Sequence, residues 1–261
     1  YAADIDSDGD IDVLSGEDAT TGADDNIRWH LSTLTTSGGA GPGFTSIYDI
    51  TSNANGSRTI YTIDIDKDGD LDVLSASLDD NTVAWFENNG GSVFSRHNIS
   101  TSVDNAESVY AIDIDHDGDI DVLSAGRSSG VDLYKNNGSQ SFTAQSIDND
   151  YANSVYALDV DGDGDNDIIA SNSDDNKIVW YENNYPTNSF SGRVITSSAD
   201  GVRDVFAIDV DRDGDIDVVS AEGGDHTVAW YENDGAADPS FTARTIAANS
   251  VLSVGSVYAL D

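Results

Sequence analysis

Of the 43 Asp residues in this 261-residue chain, more than half stand in one motif, Asp-x-Asp-x-Asp-Gly-Asp-x-Asp, written five times. The copies supply Asp4, Asp6, Asp8, Asp10 and Asp12; Asp64, Asp66, Asp68, Asp70 and Asp72; Asp113, Asp115, Asp117, Asp119 and Asp121; Asp159, Asp161, Asp163, Asp165 and Asp167; and Asp209, Asp211, Asp213, Asp215 and Asp217. When such a chain curls, carboxylates at positions 1, 3 and 5 converge on one point, and Gly at position 6 permits the sharp turn. Position 7 can give its backbone carbonyl, and Asp at position 9 closes the shell. An all-oxygen donor set of this kind suits Ca²⁺, a hard cation that takes about 6–8 oxygens. Mg²⁺ suits it less, because it keeps its water and seldom uses an all-protein cage. Asp-Gly alone is ordinary hairpin chemistry. Six positions kept in all five copies are not, and carboxylates packed this closely repel one another unless a cation offsets them. The expectation is one Ca²⁺ per repeat, five in all, held by these 25 Asp residues. Position 4 varies (Ser7, Lys67, His116, Gly162, Arg212), as an outward-pointing residue should.

The start of the motif mimics an EF-hand, but an EF-hand needs a bidentate Glu at position 12 and helical flanks. Position 12 is Ser15, Ser75, Ser124, Ala170 and Ser220, and the flanks read as strands. The calcium-binding β-helix nonapeptide is missing too.

The elements that position the loops follow from their spacing. Loops begin at Asp4, Asp64, Asp113, Asp159 and Asp209, with a sixth starting at Asp261. Periods near 50 residues mark solenoids, arrays or the four-stranded blades of propellers. In the second copy Ile60 to Ile63 enters the loop, which hands over to Val73 to Ala76. A turn at Asp79-Asp80-Asn81 leads to Val83 to Phe86, and Asn88-Asn89-Gly90-Gly91 turns the chain into a fourth strand at Phe94 to Ile99. Short β-branched and aromatic runs bounded by Asn, Asp and Gly are strand and hairpin chemistry. No sustained helical period exists, so no helices are expected. The third strand carries bulk on alternate faces, Trp85 and Phe86, Trp180 and Tyr181, Trp230 and Tyr231, so both faces of each sheet need cover from stacked neighbours. A sugar-stacking role for these rings is the alternative, less suited to residues that recur at one strand position. Unit three departs, with Leu133 and Lys135 in place of Trp and Glu.

The units resemble the FG-GAP/VCBS-type repeats of bacterial extracellular proteins, related to the blades of the integrin α-subunit propeller. Val109-Tyr110-Ala111-Ile112-Asp113 and Val228 to Gly235 carry the likeness, which covers the whole chain. The Phe-Gly and Gly-Ala-Pro signatures are replaced, the latter by Val-Leu-Ser-Ala as at Val122 to Ala125, which favours the bacterial branch. The resemblance implies an all-β, four-stranded-blade β-propeller with Ca²⁺ in the loop between the first two strands, on the face opposite the main ligand surface. The expected repeats are 1–56, 57–105, 106–151, 152–201 and 202–254, with 255–261 opening another. Because Tyr1 to Asp4 and Val257 to Asp261 repeat one first-strand sequence, five blades plus the start of a sixth are expected. They would form an incomplete ring cut from a longer, seven-bladed-type chain, or one completed by a neighbouring copy.

Composition bounds the function. With 49 acidic and 11 basic residues the net charge is −38, which repels nucleic acid and anionic membranes alike. Five Ca²⁺ would bring it only to −28. The absence of Cys excludes disulfides and thiolate metal sites. No apolar run approaches the ~20 residues of a membrane helix. Abundant Asp, Asn, Ser, Thr and Gly with three Lys resemble a secreted or cell-surface protein. The first functional reading is non-catalytic recognition or adhesion, with a glycan or protein bound through loops opposite the metal sites. Asp24-Asp25-Asn26, Asp79-Asp80-Asn81 and Asp174-Asp175-Asn176 lie in that set, although as sequence they are plain Asx turns. The second is a structural subunit or spacer of a surface or filamentous assembly, which the regularity of the units suits. The third, a polysaccharide-active enzyme, finds least support. His30, His97, His116 and His226 occupy non-equivalent places, and no carboxylate pair stands apart for acid–base work.

Overall fold

The computed structural model describes residues 1–16, 26–33, 43–248 and 254–259. The expected turn at Asp24 and Asp25, most of the segment from Leu34 to Gly43, and Asp261 lie outside them. The described residues form twenty strands in five antiparallel sheets of four, each sheet ordered as the chain runs. The first sheet is β1 (Ala2–Ala3), β2 (Asp12–Gly16), β3 (Ile27–Thr33) and β4 (Gly43–Thr51). The second is β5 (Ser57–Ile63), β6 (Asp72–Ser77), β7 (Thr82–Asn88) and β8 (Phe94–Ser100). The third is β9 (Ala106–Ile112), β10 (Asp121–Gly126), β11 (Gly130–Asn136) and β12 (Phe142–Asp148). The fourth is β13 (Ser154–Leu158), β14 (Asp167–Asn172), β15 (Lys177–Asn184) and β16 (Ser189–Thr196). The fifth is β17 (Val202–Ile208), β18 (Asp217–Glu222), β19 (Thr227–Asn233) and β20 (Phe241–Ala248). No helix among the described residues is long and apolar enough to cross a membrane.

The core lies between sheets. In the register Val73↔Phe86 and Leu74↔Trp85, period-2 alternation sends Phe86 to one side of the second sheet and Trp85 to the other. Phe86 packs with Leu14, Ile27 and Trp29 of the first sheet, and Trp85 with Val109, Val122 and Tyr134 of the third. Tyr181 and Trp180 repeat this division in the fourth sheet, Tyr181 packing towards the third sheet and Trp180 towards the fifth. These rings are nearly sealed, so their recurrence reflects packing between sheets and not a sugar platform. Truncating one to Ala removes roughly 3–5 kcal/mol. The second strands β6, β10, β14 and β18 are buried throughout, as a strand covered on both faces must be.

The first strands stand side by side, β5 against β9, β9 against β13 and β13 against β17. They carry a row of aromatic rings three residues ahead of each acidic loop. Tyr1, Tyr61, Tyr110, Tyr156, Phe206 and Tyr258 follow one another with centroids 5.7, 4.9, 4.5, 4.8 and 4.9 Å apart. Tyr258 belongs to residues 254–259, which carry no strand but sit beside β17, where the Val257 N–H donates to Asp204 Oδ2 at 3.0 Å. The row borders one cavity of about 1360 Å³.

The second-to-third-strand turns are structural. Asn81 and Asn176 adopt left-handed φ of 56° and 57°. Their side-chain oxygens accept the N–H groups of Asn105 and Gly201 at 2.8 Å, which ties each turn to the connection entering the next sheet.

Candidate metal centre

Each acidic loop links the first strand of its sheet to the second, and its own backbone shapes it. The position-6 glycines (Gly9, Gly69, Gly118, Gly164, Gly214) have φ between 92° and 101°, which only Gly adopts freely. Their N–H groups donate to Oδ2 of the position-1 Asp at 3.0 Å in all five loops. Position 4 is also left-handed, with φ from 56° to 75°, so it does more than point outward.

Position 9 is a buried tie. Asp12, Asp72, Asp121, Asp167 and Asp217 are at most 1% exposed. Oδ2 of each accepts the position-2 N–H (Ile5, Ile65, Ile114, Val160, Val210) at 2.9–3.3 Å. Oδ1 accepts an N–H from the end of the third strand (Ser32, Asn88, Asn136, Asn183, Asn233) at 2.7–2.8 Å. One carboxylate thus fixes loop entry, loop exit and the third strand together.

The structure brings together one carboxylate oxygen each from Asp64, Asp66 and Asp72, all within 4.8 Å of one another. Asp113, Asp115 and Asp121; Asp159, Asp161 and Asp167; and Asp209, Asp211 and Asp217 do the same at positions 1, 3 and 9. In the first loop the group is Asp4, Asp6 and Asp8, with Asp12 outside it. Position 5 otherwise stays outside these groups: Asp68, Asp117, Asp163 and Asp213 each accept the position-7 N–H at 2.8–3.0 Å in an Asx turn. The position-7 carboxylates Asp10, Asp70, Asp119, Asp165 and Asp215 join none of the groups. Two of them turn to the preceding loop instead. Lys67 Nζ lies 2.6 Å from Asp119 Oδ1, and His116 Nδ1 lies 3.7 Å from Asp165 Oδ1. Asp119 and Asp215 also sit where a Cβ on Gly138 or Gly235, in the third-to-fourth-strand turn, would collide with them.

The donor set fits a hard divalent cation. Three convergent carboxylate oxygens per loop present no nitrogen or sulfur, and in the third loop Asp113 Oδ1 and Asp115 Oδ1 are buried without a hydrogen-bond partner. Electrostatics show the same strain. Burial, and then in part neighbouring carboxylates, push Asp6, Asp66, Asp161 and Asp211 above the usual carboxylate range. Burial raises Asp72 to about 6 and Asp121 and Asp167 to about 7. Each is above its ordinary 3.8, so the folded chain binds more protons than the unfolded one between those values. With the loops free of metal, stability is therefore expected to fall as pH rises from about 4 to about 7. Urea unfolding in chelator across that interval checks it, and stability that rises with pH would contradict it.

The sequence alone did not reveal the amides that tie a loop to the next sheet. Asn88, Asn183 and Asn233 donate from Nδ2 to the position-2 carbonyl of the preceding sheet's loop (Ile5, Ile114, Val160) at 3.1–3.3 Å. Their signal is the Asn that follows the third strand's aromatic pair in Trp-Phe-Glu-Asn and Trp-Tyr-Glu-Asn.

Comparison with known proteins agrees with this architecture. No curated protein matches the chain in sequence. The structure is similar to the V. cholerae biofilm matrix protein Bap1, at 19% identity and TM-score 0.54, over 98% of this chain and 39% of that one. It is also similar to an auxiliary nutrient binding protein from Bacteroides ovatus, at 12% identity and TM-score 0.55, over 90% of this chain and 53% of that one. The chain thus spans about half or less of either relative's length. The FG-GAP-like repeat model matches at residues 64–124, 113–170 and 159–220, together more than half of the chain. Acidic loops of one design, each between the first two strands of a four-stranded sheet, therefore place this protein in the FG-GAP-like repeat family.

Proposed function

We propose that the chain is a non-catalytic, extracellular Ca²⁺-binding module whose sheets are blades of a β-propeller, and that it recognises a glycan at the end opposite its metal loops. The observation that carries the reading is the common direction of the five sheets. Every first strand lies beside the cavity and ends in a carboxylate triad, so the triads share one end. Positions 1, 3 and 9 hold the ion in loops two to five, and Asp4, Asp6 and Asp8 hold it in loop one. Ca²⁺ there supplies the positive charge that three converging carboxylates lack.

The cavity mouth at the other end differs from the rest of this acidic surface. It gathers Arg58, Arg127 and Arg203, three of the chain's eleven basic residues. Glu107 pairs with Arg58 at 3.8 Å and also with Arg127. Planar, charge-paired groups above tyrosine rings are what a polyhydroxylated ligand needs, hydrogen bonds at its rim and apolar faces beneath. Two relatives in fold, a biofilm matrix protein and a nutrient binding protein, agree with a role outside the cell. A glycan array with the Ca²⁺-loaded protein tests the proposal. Binding is expected to weaken at least about tenfold in Arg58→Ala and Arg127→Ala. Binding indifferent to both changes would remove the site from the cavity mouth.

One observation favours the structural alternative. The outermost strands carry exposed apolar side chains, Phe44 and Ile47 on β4, Val194 on β16 and Ile246 on β20. Unpaired edges of this kind favour lateral association. An empty array together with concentration-dependent self-association would select that reading.

A further inference from the structure

The five loops are not equivalent, and the difference lies beside them on the third strand. The residue before the terminal Asn (Ser32 in sheet one) is Leu31, Glu87, Lys135, Glu182 and Glu232 in the five sheets in turn. Glu87, Glu182 and Glu232 each add negative charge felt at the position-3 carboxylate of their loop, Asp66, Asp161 and Asp211, tempered by their fourth-strand partners His97, Arg193 and Arg244. In sheet three the charge is reversed, and Lys135 Nζ stands 3.6 Å from Asp115 Oδ2. Lys67 reaches the same loop from the other side through Asp119. Two of the chain's three lysines therefore converge on loop three, while the third, Lys177, pairs with Asp175 in a remote turn.

Loop three is also the loop whose backbone leaves its carboxylates least satisfied. Asp64 and Asp66 accept the Asp68 N–H at 3.1 and 3.2 Å, and Asp159, Asp161, Asp209 and Asp211 have like partners. Asp113 Oδ1 and Asp115 Oδ1 are the exceptions. A loop so short of donors needs a cation more than its neighbours do, and Lys135 stands where part of that need can be met from within the chain.

From this geometry we propose that Lys135 is the built-in counter-cation of loop three, making it the weakest Ca²⁺ site of the five and the one least dependent on the ion for its shape. The proposal rests on the Ca²⁺ reading above. A unit charge about 6 Å from a divalent ion changes its affinity roughly tenfold in a water-like dielectric. Exchanging Glu for Lys spans two charge units, which the arginine partners of Glu182 and Glu232 together with screening at ordinary salt reduce to about tenfold overall. Loop one, with neutral Leu31, falls between.

Calorimetric titration of the decalcified chain with Ca²⁺ tests this. The wild type is expected to show a weak class of one site, about tenfold or more below the tightest sites. Asp113→Asn, at position 1 of the loop-three triad, is expected to abolish that class and leave the others unchanged. Lys135→Glu is expected to move it into the tight class and to lower the melting temperature in chelator, whereas Lys177→Glu does neither. Five equal sites, a weak class that survives Asp113→Asn, or a Lys135→Glu chain that keeps it would overturn the assignment while leaving the Ca²⁺ sites standing. Absence of Ca²⁺ binding at every loop would overturn both.

Discussion

Chelating Ca²⁺ is expected to lower the melting temperature by at least about 15 °C, the largest single effect the molecule should show. A site at 100 times its dissociation constant stabilises the folded state by about 2.7 kcal/mol, and for a chain of this size each kcal/mol moves the midpoint by roughly 2–4 °C. Two filled sites account for such a shift, and five exceed it. The effect spreads because loops and sheets are tied to their neighbours, as Asn88 is to Ile5, so a loop that loosens frees the edge of the next sheet. Thermal unfolding with and without chelator measures it, and an unchanged midpoint would refute the metal assignment.

Position 9 is expected to behave differently from positions 1 and 3. Replacing Asp167 by Ala leaves the N–H groups of Val160 and Asn183 unpaired in the core, 3.2 and 2.8 Å from the oxygens that now accept them. Each buried donor left without a partner costs about 1–3 kcal/mol, so Asp167→Ala should destabilise the chain by about 2–6 kcal/mol even in chelator. Asp161→Asn should cost stability only when Ca²⁺ is present, because its carboxylate serves the ion more than the backbone. Urea unfolding of both variants with and without Ca²⁺ separates the roles. Equal losses in chelator would mean that Asp167 is no more structural than Asp161.

Much of this was legible in the sequence where one repeat suffices to determine it. The strands around Ile60 to Ile63, Val73 to Ala76, Val83 to Phe86 and Phe94 to Ile99 fall within β5 to β8, because β-branched runs and Asn-Gly turns are local signals. The alternating bulk of Trp85 and Phe86 correctly implied a sheet covered on both faces. What one repeat does not determine was not legible. The direction taken by Asp119 depends on Lys67 from the sheet before, and the role of Asn233 depends on the Val160 carbonyl 73 residues earlier. The left-handed backbone at Lys67 and His116 was hidden because neither residue type announces it, although Gly162 at the same position hints at it. The aromatic row from Tyr1 to Tyr258 stood in plain view at a fixed offset from each loop, but its meaning required knowing that first strands adjoin.

The most direct measurement is the number of Ca²⁺ ions held per chain, counted by native mass spectrometry of protein equilibrated with Ca²⁺ in the presence of excess Mg²⁺. Five ions at saturation are expected, one of them lost first as free Ca²⁺ is lowered. A chain that carries no Ca²⁺, or that exchanges it freely for Mg²⁺, would contradict the reading of the five acidic loops as calcium sites.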